Sequence, residues 1–103
     1  MRRLGAITVG LTLVVMSVSS SYSFAYTGEE LAKGAKISID DARAIALKAR
    51  PGTITDEELE REKGGSGLRY SFDIKSGGVV QEVGVDAQTG KVLENKKEGP
   101  HPD

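Results

Sequence analysis

The chain predicts an α+β fold: one main helix packed on a three- to four-stranded antiparallel sheet. Three stretches carry this reading. Ser38 to Arg50 places apolar residues at helical spacing between a clear start and a Pro51-Gly52 stop. Leu68 to Lys75 alternates apolar and polar residues without interruption, the pattern of a half-buried strand. Val83 to Leu93 sets two strand-like runs around Asp86-Ala87-Gln88-Thr89-Gly90, a turn sequence.

Taken in order, the chain opens with basic Met1-Arg2-Arg3, and a mostly apolar run of about fifteen residues follows from Leu4 to Val18. Ser23 and Ala25 are small residues at the −3 and −1 positions of a cleavage site. This is the three-part pattern of a secretory signal peptide spanning residues 1–25. A membrane-spanning helix needs roughly 20 apolar residues, more than this run supplies. The expected mature chain, Tyr26 to Asp103, is exported to the periplasm or the medium and keeps no stable membrane anchor. It holds 12 of the 14 basic residues against 15 acidic ones. That acidic balance excludes the basic face that nucleic-acid binding requires. Cysteine is absent, which excludes a disulfide scaffold, thiol chemistry and a lipid-modified cysteine.

Residues 26–36 form a lead-in. Thr27-Gly28-Glu29-Glu30 has the form of a capping box and predicts a short helical turn through Leu31 and Ala32. Ser38 is the expected N-cap of the main helix, with Asp41 three residues on and Ile37 before it. Asp40 and Asp41 suit the positive end of the helix dipole, and Lys48 and Arg50 the negative end. Ile39, Ala42, Ile45, Ala46 and Ala49 form one stripe, and its alanines allow close approach to a sheet. From Gly52 to Lys63 the local signals conflict. Thr55 to Glu62 has high helix propensity, which slightly favours helix, but only Ile54 and Leu59 are apolar; a charged edge strand is the competing reading. Gly64-Gly65-Ser66-Gly67 is a turn or loop, and Ser76-Gly77-Gly78 a hairpin turn. Gln81, Val83 and Val85 share one face of the next strand. Asp86, Thr89 and Gly90 are the structural residues of the following turn: the carboxylate of Asp86 folds back onto turn amides, and Gly90 supplies a positive φ. A short strand follows from Lys91 to Glu94, and residues 95–103 are an expected disordered tail.

In order and spacing, several of these pieces match a known family. They are Ile37-Ser38-Ile39-Asp40-Asp41-Ala42, Pro51-Gly52-Thr53-Ile54, the alternating Tyr70 strand and Val85-Asp86-Ala87-Gln88-Thr89-Gly90-Lys91-Val92. From Ile37 to Glu94 the chain resembles the PepSY domain, a small module of thermolysin-type metallopeptidase propeptides and of free-standing exported bacterial proteins. The resemblance implies a cystatin-like arrangement and makes Ile54 to Glu62 a strand. Where the family usually has an apolar residue, Asp56, Glu57 and Glu58 stand here, so that strand is expected to be frayed or bulged. The resemblance also implies a non-enzymatic binding role, regulating or inhibiting a peptidase or binding another envelope protein. No peptidase domain accompanies these residues, so the expected action is in trans. No catalytic residues and no cofactor carry over.

The candidate chemistry is sparse. His101, the sole histidine, lies in the expected tail, where no shaped site surrounds it. Asp86 to Gly90 lacks the further oxygen ligands of a calcium loop, and Gly64 to Gly67 lacks the lysine and helix of a phosphate loop. Tyr70 and Phe72 are expected in the core. Glu58, Glu60 and Glu62 share one face of a strand and form a possible weak cation site, which would make the protein a small exported cation- or ligand-binding accessory or sensor. Ile54, Leu59 and Glu60 are the expected partner-binding residues, for docking an extended peptide or protein at a strand edge or on the open face of the sheet.

Overall fold

The computed structural model describes residues 25–99. The expected leader, apart from Ala25, and His101 lie outside the described residues. A 3-10 turn at Glu29–Gly34 precedes helix α1 (Ile39–Ala49), which is followed by strands β1 (Thr53–Arg61), β2 (Leu68–Ser76), β3 (Val79–Asp86) and β4 (Val92–Lys97). The strands form one antiparallel sheet in chain order, β1-β2-β3-β4. Helix α1 covers one face, mainly over β2, β3 and β4.

Helix α1 starts where its cap dictates: the Ser38 hydroxyl accepts the Asp41 N–H at 3.1 Å. It stops where Pro51 forces Arg50 into extended backbone (φ −146°). Ala42 and Ala46, both 0% exposed, meet Tyr70, Phe72, Ile74, Val83 and Val85 on the sheet. Their methyl groups let the helix lie close to the strands, while Ile39 and Ile45 pack around the margin. Burial of the strands follows the period-two pattern: Tyr70, Phe72 and Ile74 point to the helix. The Tyr70 hydroxyl donates to the Ile37 carbonyl at 2.7 Å, and burial pushes its pKa up to about 12. Gly77 and Gly78, both at positive φ, make the two-residue turn between β2 and β3.

Three local expectations are corrected or refined. The stretch with high helix propensity is strand β1, because Leu59 gains a place in the core opposite Tyr70 that a solvated helix does not offer. Its register shifts between Ile54 and Asp56, the bulge expected from the acidic run. The Thr27 capping box does not form. Gly28, at φ 87°, precedes the 3-10 turn without a side-chain cap, while the Thr27 carbonyl accepts the Leu59 N–H at 2.8 Å in a parallel bridge to the outer edge of β1. Finally, β4 runs to Lys97 rather than ending at Glu94, because Asn95, Lys96 and Lys97 pair with Val83, Glu82 and Gln81; these residues are not part of a disordered tail.

The turn after β3 is the most heavily bonded corner. Asp86 is buried, and its carboxylate accepts the N–H groups of Gln88 (2.8 Å), Thr89 (3.0 Å) and, from the Gly-rich loop, Ser66 (2.6 Å). Gly90 takes φ 79° and donates to the Asp86 carbonyl at 2.9 Å. Ala87 donates to the Leu68 carbonyl, and its own carbonyl accepts the N–H groups of Lys36 and Ile37. Gly65 is required here, since a Cβ would lie 2.2 Å from Asp86 Oδ2. Burial alone pushes the Asp86 pKa up, but the three amides and the Ser66 hydroxyl pull it down to about 2.

A carboxylate whose folded pKa lies below its unfolded value stabilises the protein above the unfolded value, and the contribution disappears as pH falls through the folded one. Asp86 therefore contributes roughly 2 kcal/mol above about pH 5 that is lost toward pH 2. Asp86→Asn lowers stability at pH 7 by about 2 kcal/mol and flattens the acid limb, as measured by urea unfolding from pH 2 to 7. In the helix, Ala46→Leu costs about 1–3 kcal/mol by overpacking, read as a lower unfolding midpoint.

Candidate functional site

The face of the sheet turned away from α1 carries most of the charged residues of the strands. Alternation and register bring Asp56, Glu58 and Glu60 of β1 beside Asp73, Ser71 and Arg69 of β2. Glu82 and Gly84 of β3 and Glu94 and Lys96 of β4 continue the same surface. Carboxylates outnumber cations across it. Among the described residues only Val79, 38% exposed, is an exposed large apolar side chain, so any contact made here is polar.

Arg69, near the start of the interior strand β2, is the hub of this charge. It is only 8% exposed, although it sits on the uncovered face. Gly84 makes this possible: a Cβ there would stand 3.0 Å from Arg69 Cδ, so the arginine stem rests on the bare backbone of β3. Its guanidinium spans the sheet. Nη2 donates to the Lys63 carbonyl at 3.2 Å, while Nη1 lies 3.5 Å from Glu94 and 3.8 Å from Glu62. Beside it the Ser71 hydroxyl donates to Glu60 at 2.7 Å. Glu58 and Glu60 are hydrogen-bonded to each other, and this contact, with burial and the charges of Glu60, Asp56 and Glu82, pushes the Glu58 pKa up to about 7. Burial raises Glu60, but its bonds from Glu58, Ser71 and Glu62 and the charge of Arg69 hold it below the usual carboxylate value. The pair shares one proton near neutral pH. Burial, then the charges of Glu94 and Asp73, raise Glu82 as well.

The expected site residues divide between the two faces. Glu60 lies on the open face, whereas Ile54 is half-buried and packed against the core, and Leu59 is 1% exposed beneath α1. Leu59 is therefore corrected from a partner-binding residue to a core residue. The outer edge of β1 at Leu59 is already paired with Thr27. Glu58, Glu60 and Glu62 are neighbours as expected, but no group of three or more His, Cys, Asp or Glu among the described residues is arranged to hold a metal ion. Glu57, on the other face, is held by a bidentate pair with Arg43 of α1, whose Nη2 lies 2.9 Å from Glu57 Oε2. Sequence reasoning missed Arg69, Glu82 and Glu94. Alternation around Tyr70 places Arg69 outward, but its burial depends on Gly84 of β3 standing diagonally beside it.

A carboxylate with a raised folded pKa stabilises the protein below its unfolded pKa and loses that contribution as pH rises through the folded value. The Glu58–Glu60 pair therefore makes the domain less stable between about pH 5 and 8 as the shared proton leaves. Glu58→Gln keeps a hydrogen-bond donor and removes the charge. It raises stability at pH 8 by on the order of 1 kcal/mol after solvent screening and leaves pH 5 nearly unchanged, checked by thermal unfolding at both values.

The family model described as peptidase propeptide and YPEB domain, PepSY, matches residues 36–96. Comparison with curated proteins and with solved structures gives no match. The matched segment spans α1 and all but the last residue of the four-stranded sheet, and the chain belongs to the PepSY family.

Proposed function

We propose that this is an exported, non-enzymatic PepSY module that docks a protein in trans, with regulation or inhibition of a peptidase as its action. The observation that supports the reading is the family match over α1 and nearly the whole sheet, to a model described by its place in peptidase propeptides. The leader-like pattern of residues 1–25 supports export, and no helix among the described residues is long and apolar enough to cross a membrane.

The docking surface is the uncovered face of the sheet. One helix covers the other face, and the edge of β1 is occupied near Leu59. The edge of β4 carries Lys96 and Lys97, charges that discourage strand addition. A carboxylate-rich face without an apolar patch selects a partner surface rich in lysine and arginine and associates quickly but with strong salt dependence.

The test is titration of the mature domain, Tyr26 to Asp103, into peptidases exported by the same cells. Peptidase activity falls as the domain saturates, and the double charge reversal Glu60→Lys with Glu82→Lys weakens the effect by on the order of tenfold. Full activity of every co-exported peptidase at saturating domain overturns inhibition.

A further inference from the structure

On the helix side of the sheet, opposite the acidic face, a cleft of 440 Å³ opens between the 3-10 turn and the end of the β1–β2 hairpin. This volume lies in the range of small-ligand pockets. Half-buried Leu31 and Leu68 of the core supply the large apolar side chains of its lining. Lys33 and Arg61 line it, and neither has an ion-pair partner among the described residues. Glu30 is the one carboxylate in the lining, so the cleft is net positive. Gln88 closes one side; its Nε2 donates to the Gly34 carbonyl, and among the described residues no donor occupies its Oε1.

We propose that this cleft binds the free C-terminus of a peptide that ends in an aliphatic residue. Each part of such a ligand meets a matching group. The α-carboxylate faces the Arg61 fork and the Lys33 ammonium. The last side chain rests on Leu31 and Leu68, and its exclusion from water supplies the apolar part of the affinity. The vacant Gln88 oxygen accepts a peptide N–H, the feature that favours a peptide over a simple fatty acid. The proposal stands apart from peptidase inhibition, which uses the opposite face.

The experiment titrates the isotope-labelled mature domain with acetyl-Ala-Ala-Leu as the free acid and as its C-terminal amide, following amide chemical shifts. The free acid moves the resonances of Gly34, Gly67 and Gln88, and the amide binds about tenfold more weakly. Arg61→Gln and Lys33→Gln each weaken the acid severalfold. A Cβ at Gly34 meets only Leu68 Cδ2 at 3.9 Å, an ordinary contact, so Gly34→Leu narrows the cleft without forcing the backbone and abolishes binding. Unchanged shifts elsewhere in the spectrum show that each variant is folded. Equal binding of acid and amide, no shift at the cleft at millimolar peptide, or unaltered affinity in both charge variants overturns the proposal. None of these readouts involves a peptidase, so this result and the inhibition result stand or fall separately.

Discussion

The fold depends on a small corner where one carboxylate and one alanine unite four segments. Asp86 holds the amides of its own turn and, through Ser66, the Gly-rich loop between β1 and β2. Ala87 then fixes the start of β2 through Leu68 and the approach to α1 through Lys36 and Ile37. Helix, hairpin and final strand thus share one anchor. A carboxylate buried without those donors is costly, and with them it stays ionised. The corner therefore tolerates neither a missing donor nor a side chain on Gly65.

The two faces of the sheet serve different purposes. The covered face is a thin aliphatic and aromatic layer in which alanine brings the helix close. The opposite face concentrates charge around an arginine made possible by a glycine. Such a face does not adhere through apolar burial. It selects by potential, and its protonation near neutrality varies with its surroundings.

Local pattern revealed much of this architecture. The Ser38 cap, the Pro51-Gly52 stop, the alternation around Tyr70 and the Asp86–Gly90 turn are each short-range signals, and each is present in the fold. Strand β1 was hidden because its stability comes from a distant neighbour, Tyr70, while its own residues prefer helix. Family resemblance supplied what propensity did not. The candidate surface was the least legible part. Leu59 looked like an edge residue because nothing nearby in sequence reveals the core above it. The importance of Arg69 emerges only when β3 brings Gly84 to its side. The reach of β4 to Lys97 was also hidden, since polar residues join a strand when a partner strand is there to receive them.

The strand order has a kinetic consequence. Every hydrogen-bonded pair of strands is consecutive in the chain, with short connections between them. Loop closure therefore costs little entropy, and sequence-local contacts of this kind favour rapid folding. With no cysteines to oxidise, the domain reaches its native state without a catalyst of disulfide exchange. It spends little time with bare strand edges, the condition in which aggregation and proteolytic nicking compete with folding.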